Sequence, residues 1–429
     1  TVRLAKHTSN LFRARAKANT RGLDISGLTG VISIDPEGQT ADVGGMCAYE
    51  DLLAATLPFG LAPLVVPQLK TITLGGAVTG LGIESTSFRN GMPHESVVEM
   101  DILTGAGEVV TASPAEHADL FRAFPNSYGT LGYAVRLRIE LEAVKPFVAL
   151  TQLRFHTLDD LVATMDRIIE TGRRDGVPVD YLDGVVFSAD ESYLCVGVQT
   201  EAPGPVSDYS GQLIYYRSIQ HDEGGLDDRL TIHDYFWRWD TDWFWCSAAF
   251  GAQDPRIRRL WPRRYRRSSV YAKLMAYEHR FHIENRLEKL KGRPPRERVV
   301  QDIEVPIGHC VEFLDWFLAN VPIEPIWLCP IRLRDDDGWP LYPLRSHETY
   351  VNIGFWASVP VGSTEGETNR MIERQVSELD GHKSLYSDAF YTPKRFDELY
   401  GGQDYRAVKE RYDPDSRLLN LYEKAVQRR

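Results

Sequence analysis

The stretch Thr71–Gly91, TITLGGAVTGLGIESTSFRNG, holds five glycines: Gly75, Gly76, Gly80, Gly82 and Gly91. Glycine at that density lets a backbone come close to something. Three readings compete: a dinucleotide fingerprint, a loop laid on some other ligand, and a tight turn. Gly80-Leu81-Gly82-Ile83-Glu84-Ser85 is one residue short of GxGxxG, and Asp101 follows at nearly the right distance. That fingerprint must open a helix whose N-terminus holds a pyrophosphate. The residues after Gly82, IESTSFRNGMPHES, are polar, contain Pro93 and show no apolar periodicity. The segment therefore reads as a non-helical glycine ribbon. No Lys-Ser/Thr pair follows the glycines, which excludes a P-loop. Serines and threonines between the glycines favour a loop wrapped on a ligand, its N–H groups forming an anion nest. A plain glycine turn is the other reading of the segment alone.

The flanks extend the picture. VISIDPEGQTADVGG from Val31 reads as two strands joined at Pro36-Glu37-Gly38, and SVVEMDILTGAGEVVTA from Ser96 as a hairpin around Gly105-Ala106-Gly107. YEDLLAATLPFGL from Tyr49 carries apolar residues at helical spacing and stops near Gly60. AEHADLFRAF reads as a short helix and YGTLGYAVRLRIELEAV as a long alternating strand. From about 147 the order changes to strand FVALTQLRF, helix LDDLVATMDRIIETGRR, and strands DYLDGVVFS and SYLCVGVQT. That order predicts an α+β domain on one antiparallel sheet. The sheet pattern breaks between roughly 217 and 298, then resumes with VVQDIEVPI, PIWLCPIRL and TYVNIGFWA. The tail RYDPDSRLLNLYEKAV reads as a closing helix after a turn.

In this order, PQLKTITLGGAVTGLGIESTSFRNG, VVEMDILTGAGEVV and FPNSYGTLGYAVRLRIEL resemble the FAD-binding domain of the vanillyl-alcohol-oxidase (PCMH) type. The resemblance implies an α+β fold of two domains. The FAD-binding domain would be 1–146, and a substrate cap on an antiparallel sheet 147–380, with an insertion at 217–298. A C-terminal segment, 381–429, would return to the first domain. It implies extended, non-covalent FAD against Pro67, Thr73, Leu74, Gly75, Gly76, Gly80, Gly82, Ile83, Ser85, Ser87, Gly129, Gly132 and Val135. The first phosphate loop would be KHTSNLF, with Lys6, Thr8, Ser9, Asn10 and Leu11; it departs from the family's glycine-rich version. His7 stands where some members attach FAD covalently.

The second half narrows the resemblance. VVQDIEVPI, EPIWLCPIRL, TYVNIGFWA and HKSLYSDAFYTPKRFDELYGG are similar to segments of the delta-24-sterol reductases. PQLKTITLGGAVTGLGIES looks closest to a bacterial branch proposed to reduce methylene-branched fatty acyl chains, as in tuberculostearic acid synthesis. The resemblance implies NADPH as electron donor, a lipid or phospholipid-bound acyl substrate, and a methyltransferase partner of the same pathway. A sterol side chain and an alcohol are the alternative substrates. For the proton donor, polar residues embedded in apolar segments are the candidates: Tyr386, Asp388 and His282 first, then Glu284, Glu304 and His309. Structural polar groups are the commoner use of such residues.

Composition sets outer limits. A chain of 429 residues is long enough for two or more domains, and 43% hydrophobic with 25% charged residues is ordinary for a globular protein. A net charge of −11 argues against broad nucleic-acid binding. Five widely spaced cysteines, with no metal-ligand spacing, read as reduced thiols of a cytoplasmic protein. A lipid-docking reading of the insertion would place the protein peripherally at the inner face of the membrane. Within the insertion, DYFWRWDTDWFW places seven aromatic residues in twelve, and Arg256, Arg258, Arg259, Arg263, Arg264, Arg266 and Arg267 follow. The aromatics read as a wedge between domains or as an apolar lipid surface. The arginines read as a solvated face or as a site for anionic lipid head groups.

Overall fold

A computed structural model describes residues 3–5, 22–222, 224–281, 296–334, 336–364 and 366–427. The first sheet is assembled from hairpins. Strands β1 (Val31–Asp35) and β2 (Thr40–Gly44) meet at a turn closed by Gly38 N–H donating to the Asp35 carboxylate, 3.0 Å. With β3 (Leu61–Pro63), β4 (Val97–Leu103), β5 (Val109–Ala112) and β6 (Tyr133–Ala143) they form one sheet, ordered β1-β2-β6-β4-β5, with β3 paired to β6. Arg136 on β6 bonds Asp42, Glu99 and Asp101. The Asp101 that a dinucleotide fingerprint would need is thus held by Arg136, whose hydrogen bonds pull its carboxyl below the usual range.

The glycine stretch differs from the expected ribbon. Leu74–Gly80 is a helix of seven residues, capped by Thr73, whose hydroxyl accepts from Gly76 N–H at 3.2 Å. Leu74, Ala77 and Val78 recur at helical spacing and are buried, which offsets the cost of three glycines in so short a helix. Beyond Gly80 the chain is irregular until a single turn at Ser87–Asn90.

The second sheet is built from β7 (Phe147–Phe155), β10 (Tyr181–Ser188), β11 (Glu191–Thr200), β12 (Gly225–Thr231), β13 (Arg296–Pro306), β14 (Ile326–Ile331), β15 (Tyr350–Pro360) and β16 (His382–Lys383). A small separate hairpin, β8 (Arg173–Arg174) and β9 (Val177–Pro178), precedes β10. The sheet order is β12-β7-β11-β10-β14-β15-β13-β16, antiparallel throughout. Strand β12 lies inside the expected insertion, so that segment contributes an edge strand.

Alternation sorts the side chains of this sheet. Leu182, Val196, Leu328, Ile303 and Phe355 face the helices Leu158–Thr171, Cys310–Asn320 and Glu367–Glu378 and form one core with them. Tyr181, Val185, Cys195, Trp327 and Cys329 face the other way and share a core with Val43, Leu53 and Leu137 of the first domain. The aromatic run resolves as the wedge: all seven of its aromatics are buried. Phe244 stacks on Trp356 of β15, 4.3 Å between ring centres, and Trp245 donates to the Trp356 carbonyl. A membrane-facing role for these rings is thereby corrected.

The tail from Arg411 turns and closes in one helix, Leu421–Ala425, as expected; two more helices, Pro393–Leu399 and Gly402–Tyr412, precede it. Together they clamp the first domain: Lys409 Nζ donates to the Thr130 carbonyl, Lys424 Nζ to the Tyr128 carbonyl, and Arg411 pairs with Asp119.

Candidate active site

The sheet face turned toward the first domain carries a registered row of polar side chains. Gln152 lies opposite Cys195, and Cys195 opposite Asp183. Cys329 lies opposite Asn352, Asn352 opposite Glu304, and Glu304 opposite His382. Directly opposite residues of antiparallel strands share a face, so these groups form a band across the middle of the sheet. A buried polar band is costly unless each member is bonded or used.

One end of the band is closed by the wedge. Arg238 is fully buried and donates to both Asp183, 2.9 Å, and Glu84, 3.0 Å. Trp239 and Trp327 also donate to the same Asp183 oxygen. Burial pushes the Glu84 carboxyl up, and the Arg238 charge opposes that rise. Glu84 belongs to the glycine stretch, so this cluster joins both domains and the insertion.

The other end is more open. Asp302, one side-chain period before Glu304 on β13, keeps part of its surface accessible, as do Tyr386, Trp356 and Tyr128. Gly354 lies opposite Asp302 on β15, and a Cβ there would collide with the Asp302 carboxylate. Asn352 Nδ2 donates to Asp302 at 3.3 Å, and Tyr386 is hydrogen-bonded to the same carboxyl. Trp356 Nε1 donates to the Tyr386 hydroxyl, 3.0 Å. Burial raises the Asp302 carboxyl to about 7, the two hydrogen bonds opposing the rise. Glu304 is pushed well up by burial, then by the Asp302 charge; Ser384 bonds one of its oxygens and the other has no partner among the described residues. Tyr386 also feels the phenol of Tyr128, which donates to the Gly80 carbonyl at 2.8 Å. The open end of the band therefore meets the glycine segment.

The residues expected to hold the cofactor divide into three groups. Lys6, His7, Thr8, Ser9, Asn10 and Leu11 lie outside the described residues, as do His282 and Glu284. Gly75 and Val135 are joined through Gly45, and Gly80 accepts from the Tyr128 hydroxyl, one residue before Gly129. Gly75 N–H bonds the Gly45 carbonyl, Gly45 N–H bonds the Val135 carbonyl, and Tyr128 N–H bonds the Thr79 carbonyl. Leu74 N–H is likewise taken up by the Cys47 carbonyl. In the third group the expected contact is met by the protein itself. The Ser85 hydroxyl bonds Tyr235 at 2.9 Å, and the Ser87 hydroxyl accepts from Glu84 N–H. A Cβ on Gly75 would lie 2.6 Å from the Gly45 carbonyl oxygen; one on Gly82 would wedge between Pro93 and Pro67.

Some groups remain for a ligand. Among the described residues, Gly82 and Ile83 N–H have no hydrogen-bond partner. The buried Asn126 Oδ1 and Ser127 Oγ, in the loop leading to Gly129, also have none. Orphaned polar groups along one segment fit a polar cofactor laid over it.

Of the proton-donor candidates, Tyr386 and Glu304 reach the polar band. Asp388 lies beside it; its backbone carbonyl accepts from Lys383, which forms a buried pair with Glu373 at 2.8 Å. His309 is half-buried beside Glu312, beyond the end of β13. Sequence reasoning passed over Asp302, Asp183, Asn352, Arg238 and Tyr128. A signal for Asp302 was present, because QDIE places two acids two residues apart, hence on one face of an apolar strand.

The described residues thus form a glycine-rich domain closed by a cap whose sheet turns buried acids toward it. Residues 2–113 match the FAD binding domain family, and with the relatives below this makes the chain an FAD-dependent oxidoreductase. Over nearly its whole length it is similar to Delta(24)-sterol reductases. That of Macaca fascicularis is 26% identical over 409 residues, covering 92% of this chain and 76% of that protein. That of Arabidopsis thaliana is 24% identical over 453 residues, covering 94% and 76%. Cytokinin dehydrogenase 2 of Oryza sativa is 31% identical over 160 residues, 36% of this chain and 28% of that protein.

Proposed function

We propose that this chain reduces an isolated carbon–carbon double bond of a lipid with NADPH as electron donor, the lipid being a methylene-branched fatty acyl chain. The observation that carries the reading is the Asp302–Tyr386 pair. It is an acid that titrates near neutral pH, bonded to a phenol, on the cap face that meets the glycine segment. Similarity to Delta(24)-sterol reductases over 92% of the chain supports the reaction type. The likeness of PQLKTITLGGAVTGLGIES to the methylene-reducing branch supports the acyl substrate.

FAD would lie against Gly80, Gly82, Ile83, Asn126 and Ser127, with Lys6–Leu11 as its phosphate loop. The chemistry FAD supplies when bound is delivery of a hydride to carbon. The chain's own task is the proton. Trp356 fills one acceptor position of the Tyr386 hydroxyl. When Asp302 is protonated it donates to Tyr386, and the Tyr386 O–H is free to address the alkene. The proton passes from Tyr386 to the CH2 carbon while Asp302 returns its own proton to Tyr386, leaving a carboxylate that solvent reprotonates. The positive charge then rests on a tertiary carbon, the centre that takes the hydride. A delta-24 sterol side chain gives the same type of centre, and the names of the relatives favour it as the second reading.

Labelling tests the proton assignment. In deuterated solvent, deuterium should enter the former methylene carbon, and label from reduced flavin the branch carbon. The opposite distribution would contradict the proposal.

A further inference from the structure

The seven arginines of the insertion do not form one face. Arg258 is buried and pairs with Asp242 at 2.7 Å, and it donates to the carbonyls of Gly211, Tyr209 and Leu213. Arg266 is buried and donates to the carbonyls of Ser210, Gly211, Trp261 and Arg258. These two arginines staple the loop 209–213 to the helix Pro255–Leu260 and the turn Arg263–Tyr265. Arg267 pairs with Glu50 at 2.6 Å and ties the lobe to the first domain.

The other four, Arg256, Arg259, Arg263 and Arg264, are exposed. Large apolar side chains stand out among them: Leu260 is 83% exposed, Leu213 54%, Tyr265 44% and Ile257 43%. Single exposed apolar residues need no explanation. Four on one stapled lobe, interleaved with four arginines on a chain of net charge −11, do. The nearby acids, Asp208 and Asp254, offset the four arginines only in part. Asp208 pairs with Arg263 at 3.1 Å, and Asp254 caps the helix by accepting from Arg256 N–H. Arg264 lies over the Tyr265 ring.

We propose that this lobe docks on the surface of an anionic phospholipid bilayer, with Leu260, Ile257 and Leu213 entering the acyl boundary and the four arginines meeting lipid phosphates. Charge complementarity selects that occupant: apolar tips ringed by cations match an interface with acyl chains beneath anionic head groups. The proposal extends the lipid-substrate reading but is measured without turnover, so either can fail alone.

The flavin-loaded full chain is sedimented with vesicles of phosphatidylcholine, alone or mixed with phosphatidylglycerol. Expected is binding to the mixed vesicles that weakens with salt. An arginine near such a surface is worth about fivefold in partitioning. The combined R256A, R259A, R263A and R264A variant should therefore lose about six-hundredfold, with its flavin absorbance intact. The single variant Leu260→Ser, at a site with almost no packing to lose, should weaken binding to mixed vesicles severalfold. Wild-type binding that is absent, or equal on both vesicle types, would overturn the proposal. So would wild-type partitioning by both variants.

Discussion

In the proposed reaction, Asp302 concentrates the proton chemistry at a single carboxyl. Its elevation to about 7 follows from burial, with Asn352 and Tyr386 restraining the rise. The groups facing it are Asn352, Gly354, Tyr386 and the neighbouring Glu304. With the acid form as the proposed active one, kcat/KM should be level below pH ~7 and fall about tenfold per unit above it. Asp302→Asn should lower turnover by roughly 10²–10⁴-fold and abolish that alkaline limb. The sign for stability is the reverse of the usual carboxylate. A raised folded-state value means stability present below the unfolded value and lost as pH rises toward 7. The asparagine variant should therefore melt above wild type at pH 8, and the two should converge near pH 4. An unchanged pH profile in the variant would remove Asp302 from the reaction.

At the scale of elements, the helix Leu74–Gly80 shows what glycine does here. Its N-terminal N–H groups are taken up by Gly45, Cys47 and Thr73, and Gly75 lets the Gly45 carbonyl come within reach. Gly75→Ala should thus act first on folding, costing about 1–3 kcal/mol through overpacking, read as a lower midpoint in urea. Stability equal to wild type with lost flavin would instead mean that Gly75 faces the cofactor alone. These elements also mark how far the sequence could be read. Most strands, the turn at Gly38 and the long helix ending at Gly172 follow from period, cap and glycine signals, and the structure has them. The helix at Leu74 was hidden because three of its seven residues are glycine, so its stability comes from the Thr73 cap and tertiary burial rather than propensity. Ser85 and Ser87 looked available for a ligand because Tyr235 lies 150 residues from Ser85 in the chain. Asp302 was masked by its neighbour Glu304.

Across the whole molecule, the insertion holds the two sheets together and also carries the exposed arginine lobe. The buried Arg238 joins Glu84 of the first domain to Asp183 of the cap, and the aromatic run fills the space around them. Such a charge cluster costs desolvation and is kept where it fixes one arrangement of parts. Here the arrangement fixed is that of the glycine segment against the polar band of the cap. The same long-range packing explains why the arginine run could not be divided from sequence: buried Arg258 and exposed Arg259 are adjacent and differ only in which side of a short helix they occupy. Reduction of a lipid carbon–carbon double bond is the proposed reaction, and one anaerobic experiment decides it. Enzyme bleached with NADPH is mixed with a methylene-branched phospholipid and, separately, with a delta-24 sterol. Oxidised-flavin absorbance should return with the methylene lipid. Return with the sterol alone would move the substrate to the second reading, and no return with either lipid would contradict the central claim.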